Sequence, residues 1–392
     1  MKLIPIVCML LLITGCWDRK EINDLAIIMA TGIDQKKDNV TEISVQVFLP
    51  KESAGGQGMG GTDGSGGGGG SGQTMVVSAL GESIGDAIAH LQEKLPRQTF
   101  WGHDEVFIFG EQRAKAGITD DIDFLIRARQ PRERASVFVS EGPAIDTLRL
   151  MPSLERNSAE TLREIARSHT GLEISLKDIS NMLFQEMNAA VLPYIVILPP
   201  EPNKPPENTN AVIYGCAVFK KGKMVGNIDN RVTRGILWLR NEIKNSIFTV
   251  YLQDEKGSIS LRMVNGAAKI TPQIKGNTWH IAVDIETDDN VLQNTTNQDL
   301  MDPNVVKEVE RITNKEIEAR VRTAIDQLQK GMNADIIGFS EAFHRHYPKQ
   351  WNRVKNKWDE QFPKIEIQIT SHSRIRRPGN VSKKPMQGGD RG

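Results

Sequence analysis

Cysteine is nearly missing from this sequence. Of 392 residues three are cysteine, Cys8, Cys16 and Cys216. Cys8 lies in an apolar leader and Cys16 is suited to a different chemistry. Cys216 is left to serve as a small hydrophobe, and a disulfide framework is excluded. Charge of one sign is missing too: Lys plus Arg number 49, and so do Asp plus Glu. Without residues 1–15 only Lys2 is lost, which leaves 48 against 49, or −1. Such a balance gives no whole-molecule field for nucleic acid or acidic substrates. Past the leader the longest apolar run is Ala189–Leu198, interrupted by Pro193. That is half of the ~20 residues a membrane-crossing helix needs. G-K-[ST] and H-E-x-x-H are absent, and the seven histidines are scattered. His344 and His346 stand two apart, so a helix points them to different faces. No metal and no cofactor is expected.

What is present begins at the leader. Lys2 is a short positive segment, Leu3–Ile13 an apolar run of 11 residues, and Thr14 and Gly15 are small residues before Cys16. As a helix the run would reach about 17 Å at ~1.5 Å per residue. That is the length of a signal peptide, not of a membrane span. Ile13-Thr14-Gly15-Cys16 resembles a bacterial lipobox. Cleavage between Gly15 and Cys16 would leave Cys16 carrying a diacylglyceryl group and an N-acyl chain. A thiolate is a strong nucleophile, which suits it to that attachment. Two or more acyl chains, at ~0.8 kcal/mol per buried CH₂, give a lasting anchor. The body is therefore expected to be exported and held at its N-terminus.

The composition, 39% hydrophobic and 25% charged, is that of a globular protein long enough for two or three domains. Strands are expected at Leu25–Asp34 and Glu42–Pro50. Between Gly55 and Gly72 lie 12 glycines in 18 residues, a lengthened loop inside the first domain. Strands at Asp104–Glu111, Ala135–Glu141 and Val191–Leu198 then alternate with helices. The helices begin at Ser83, Ile122, Pro143, Ala159 and Leu176. The pattern predicts a mixed α/β, or α+β, multi-domain fold. Five prolines in Pro199–Asn210 suggest a linker between an N-terminal domain, 16–199, and a C-terminal one, 211–375. The second half reads as a hairpin, Ala211–Phe219 with Met224–Ile228. Three further strands follow at Ile259–Val264, Lys269–Ile274 and Thr278–Glu286. An amphipathic helix runs from Pro303 to Lys330, with Asp302 as cap and Gly331 as stop. The aromatics of Phe343–Phe362 are expected in the core, Lys364–Ile375 as a last strand, and 376–392 as a basic disordered tail.

Two motifs are weighed for chemistry. Gly81–Gly85, "GESIG", fits G-x-S-x-G, the nucleophile elbow of a hydrolase, with Ser83 as nucleophile. The same residues give S-x-x-D, a helix cap formed by Ser83 and Asp86, and this is the favoured reading. Gly56–Gly61, "GQGMGG", matches G-x-G-x-x-G only because the tract is mostly glycine. His103, in "FWGHDEV", is the histidine most worth locating, with a packed structural role favoured. No catalytic residue is assigned.

Four blocks carry a family resemblance: "GCWDRKEINDLAIIMATGID" (Gly15–Asp34), His103–Leu148, "GCAVFKKGKMVGNID" (Gly215–Asp229) with "LWLRNEIK" (Leu237–Lys244), and Asp335–Phe362. Their order resembles the Ger(x)C family, the C-subunit lipoproteins of spore germinant receptors. The glycine tract departs from the pattern. The resemblance implies a lipid-anchored subunit at the inner membrane of Bacillus-type spores, beside membrane-embedded A and B subunits. It also implies three domains, with a second junction near Ile247–Ser258. Direct binding of a small-molecule germinant by this subunit is not expected, since no concave polar cluster is legible. Two other readings of the body are a solute-binding lipoprotein of an uptake system and a lipid-anchored hydrolase using Ser83.

Overall fold

The computed structural model describes residues 24–37, 40–49, 74–128, 130–168, 170–185, 187–244, 246–253 and 255–377. The leader, Gly15, Cys16, the glycine tract and the tail beyond Arg377 lie outside the described residues.

Strands β1 (Leu25–Gln35), β2 (Thr41–Phe48), β3 (Thr74–Gly81), β4 (Gln98–Phe100), β5 (Val106–Gly110), β6 (Ser136–Ser140), β7 (Ala189–Ile197), β8 (Ala211–Lys220) and β9 (Lys223–Asp229) form one sheet. The order across it is β3-β2-β1-β5-β6-β7-β8-β9, and β4 pairs with the first residues of β1. The centre, β1-β5-β6-β7, is parallel, and both flanks are antiparallel. Parallel strands are covered on both faces, and β5, "VFIFG", is buried throughout. Phe107 and Phe109 meet helices α1 (Ile84–Lys94), α3 (Thr119–Arg127) and α6 (Leu176–Phe184), on the side where α2 (Glu111–Ala116) also lies. Val106 and Ile108 face α4 (Ala144–Leu148) and α5 (Ser158–Arg167).

The expected strands and helices of the first half are present, with β4 and α2 in addition. The proline-rich segment joins two strands that pair with each other. Pro199–Asn210 is the loop that returns β7 onto β8, and those strands pair antiparallel from Ala189–Lys220 to Ile197–Ala211. The sheet therefore continues through the expected boundary. Prolines there mark a solvated turn, because a loop needs no ladder donors. Pro193 is accommodated inside β7 because the β6 ladder begins only at Tyr194.

The second sheet contains β10 (Ile247–Val250), β11 (Ile259–Lys275), β12 (Thr278–Asn294) and β13 (Glu366–Arg377), in that order. Three strands were expected where two long ones occur. A register shift between Met263 and Asn265 absorbs the irregular stretch before Gly266, so β11 does not turn. Helix α7 (Asn230–Leu239) connects the sheets and is buried from Gly235 to Leu239. One hydrophobic core runs from the α1–α3–α6 face of the first sheet past Trp238 to Trp279 and Phe343 of the second unit.

Helix α8 (Pro303–Asp326) is capped by Asp302 and buries Val309, Ile317, Val321 and Ile325. It continues as a π-turn, Gln327–Met332, and ends at left-handed Asn333 rather than at Gly331. The last helices, α9 (Phe339–His346), α10 (Pro348–Val354) and α11 (Trp358–Gln361), carry the aromatics into the core. Trp279 and Phe343 lie 4.4 Å apart, and Trp351 and Trp358 5.0 Å.

Candidate functional site

The N-terminal block "ATGID" has its structural partners in the block that begins at His103. Thr31 Oγ1 donates to Asp104 Oδ2 at 2.5 Å. Burial pushes the Asp104 carboxyl up to about 7, against the pull of that hydroxyl. Two residues along β1 from Gly32, Asp34 accepts from Ala144 N at 2.7 Å and Ile145 N at 3.1 Å, and so caps α4. Burial nonetheless holds the Asp34 carboxyl above its ordinary range. A Cβ on Gly110 would stand 1.9 Å from Asp34 Oδ1, so glycine is required where the capping carboxylate passes. Next to Asp104, Glu105 receives Arg132 and Arg163, each at 2.9 Å. Burial works to raise its pKa, and the two guanidiniums hold it below the usual range.

A groove lies where the two sheet units meet. Its cavity of about 390 Å³ is lined by Met182, Met187, Arg240, Ser340, His344 and Trp351, among others. A second cavity of about 420 Å³ lies across Arg240, toward Glu173, Asp178 and Lys244. Arg240, with Met182, lines both. Its Nη2 is 2.7 Å from Glu242 Oε1, and its Nη1 donates to Ile336 O at 3.0 Å. The wall after the π-turn is set by Asp335, which accepts from the N–H groups of Gly338, Phe339 and Ser340 at 3.0, 3.0 and 2.7 Å. Gly338 is left-handed there, with φ +88°. Burial raises the Asp335 carboxyl although three amides favour its charge. The positive end of α9 is thus already occupied by an internal carboxylate. His344 stacks on Trp351 at 5.8 Å, while His346 lies against Ala342 O at 3.0 Å.

Ser83 Oγ accepts from Asp86 N at 3.2 Å, and Asp86 Oδ2 accepts from Glu82 N at 3.0 Å. The G-x-S-x-G motif is therefore the N-cap of α1, with Asp86 holding the preceding residue. His103 is exposed, edge-on to Phe100 at 5.9 Å. Cys216 is free and buried in β8. Burial pushes its thiol up to about 12, and Thr233 Oγ1 lies 3.5 Å from the sulfur. Gly15 and Cys16 lie outside the described residues. Sequence reasoning did not single out Asp104, Arg240 or Asp335. "HDEV" and "ADIIG" hold the acids, but which backbone amides a buried carboxylate will meet is set by tertiary contacts.

Residues 18–197 match the family model described as "Spore germination protein N-terminal domain", and residues 214–379 match "Spore germination B3/ GerAC like, C-terminal". The chain is 27% identical over 387 residues to spore germination protein KC of Bacillus subtilis (strain 168), covering 94% of this chain and 93% of that one. It is 29% identical over 382 residues to the putative spore germination protein YfkR of the same strain, covering 96% of each. To spore germination protein GerQC of Bacillus cereus it is 21% identical over 372 residues, covering 93% and 95%. The crystal structure of the GerBC protein superposes with a TM-score of 0.57 over 88% of this chain and 97% of that one. At 17% identity, that likeness shows a shared fold. With both domain models matched in order, the chain belongs to the Ger(x)C family of spore germination proteins.

Proposed function

We propose that this chain is the lipid-anchored C subunit of a nutrient germinant receptor. Cys16 holds it to the outer face of the spore inner membrane, where it works beside the membrane-embedded A and B subunits. The observation that carries the reading is the position of the lipobox. Cys16 stands eight residues before Asp24, the first described residue, and β1 begins at Leu25. At ~3.5 Å per residue such a tether spans about 28 Å at most. A diacylated Cys16 keeps the folded body next to the bilayer and raises its local concentration beside membrane partners. The role is coupling, not catalysis. Ser83, the one candidate nucleophile, is taken up by a helix cap.

Mass spectrometry of the protein from dormant-spore membranes tests this. The first residue should be Cys16 with a diacylglyceryl group, and in Cys16→Ala the protein should leave the membrane fraction. Germinant response should fall about tenfold or more while circular dichroism stays unchanged. A bare sulfur, an uncut leader, or normal germination by the variant overturns the reading.

A further inference from the structure

Helices α7 and α8 cross very closely. A Cβ on Gly235 would lie 2.7 Å from the carbonyl oxygen of Arg320 and 2.9 Å from the Ala324 Cβ. That crossing gathers three arginines: Arg231 and Arg234, one turn apart on α7, and Arg320 on α8. The Arg320 side chain is only 18% exposed, and its Nε is buried with no hydrogen-bond partner among the described residues. Its carboxylate neighbour, Glu316, is 4.0 Å away and half-exposed. Burial weakens the hold of Arg320 on its proton. Glu316 opposes that, and the charges of Arg234 and Arg231 add to it. Among the described residues neither Arg231 nor Arg234 has an ion-pair partner, and Arg234 reaches only Ile247 O, at 3.4 Å.

Other arginines with little exposure are matched. Arg113 forms a two-pronged pair with Asp121, and Arg240 binds Glu242. Arg132 and Arg163 share Glu105. Half-burying a guanidinium without a bonded anion is unfavourable. Arg320 in that state, with half-buried Arg234 and exposed Arg231 beside one loosely held carboxylate, leaves a surplus of positive charge and of donors.

We propose that Arg231, Arg234 and Arg320 form a binding site for a phosphate group, either free or as the headgroup of an anionic lipid. Each guanidinium presents several N–H donors in a planar fork. Three forks from two helices offer more donors than the two oxygens of a carboxylate accept, whereas the oxygens of a phosphate can take them. Lipidation is not required for this site, so its failure would leave the anchor reading untouched.

The test is isothermal titration calorimetry on the purified full chain in neutral detergent at constant ionic strength. Inorganic phosphate is one probe. Dioctanoyl phosphatidylglycerol is the second, with dioctanoyl phosphatidylcholine and sodium chloride as controls. Saturable binding of phosphate alone supports a free ligand, and tighter binding of the phosphatidylglycerol supports a headgroup. In either case Arg231→Gln with Arg234→Gln should weaken the constant about tenfold or more. Arg320→Met, which keeps the aliphatic stem, should do the same without lowering the melting temperature of the unliganded protein. If Arg320→Met fails to fold, the α7 pair decides. Absence of saturable binding by both probes, or equal binding by the double variant, overturns the proposal.

Discussion

Asp104 shows how one carboxyl can set a pH dependence. Folding lifts it from an ordinary 3.8 to about 7. Between those values the folded chain keeps a proton that the unfolded chain has lost. The associated stability is therefore complete below the lower value and fades as pH rises to the upper one. At 1.36 kcal/mol per unit the span is about 4 kcal/mol at most. Asp104→Asn, which has no proton to lose, should flatten the decline in urea-unfolding free energy between pH 5 and 7. An unchanged slope would count against it. Asp34, Asp121 and Asp335 are raised in the same direction, so some slope should remain. Gly110→Ala drives a methyl into Asp34 and unseats the α4 cap. A loss of about 2–4 kcal/mol is expected, checked by thermal denaturation.

At the scale of elements, α8 stands in for a missing strand. Its residues 310, 314, 318 and 322 lie one turn apart on a single face. Glu310 accepts from Ile375 N at 2.9 Å, Asn314 from Ser373 N at 2.6 Å and Glu318 from Ser371 N at 3.0 Å. Arg322 donates to Ile367 O at 2.7 Å. The open edge of β13 is thereby closed without another ladder, which removes a template for edge-to-edge association. The β3 edge is treated the same way with opposite polarity. Lys94 donates to Ser78 O at 2.7 Å, and His90 Nδ1 meets Leu80 O at 2.8 Å. Asn314→Ala should cost about 1–2 kcal/mol and speed amide exchange at Ser373. Glu310→Ala with Asn314→Ala should add concentration-dependent aggregation, read by light scattering. These side-chain ladders could not be seen in the sequence. The apolar stripe of α8 was legible because it repeats every 3.6 residues. The polar face shows nothing about which strand it meets, since that depends on partners 45 to 65 positions away. Helix α7 went unread for the opposite reason. Asn230 and Arg231 are exposed and Arg234 is half-buried, while Gly235 to Leu239 are all buried, so its second half reads as the short apolar run of a strand.

At the scale of the whole molecule, composition gave the class and family-like blocks gave the membership; the expected division at 199–210 falls between the two family models, and one sheet runs across it. Prolines at 199–206 report a turn, and a turn looks the same whether it joins two domains or two paired strands. The physical joint is α7, pressed against α8 at Gly235. Gly235→Ala should force that crossing apart and lower stability by about 2–3 kcal/mol. A single calorimetric transition in the wild type, split into two in the variant, would mark the joint as what couples the sheets.

The unbroken core through α7 has a mechanical consequence. With an apolar core continuous through α7, one half cannot swivel on the other without breaking packing there, although the groove at Arg240 opens one side of the joint. A disturbance felt at one end must tilt the whole object or break packing, so the molecule is built as a lever instead of a hinge.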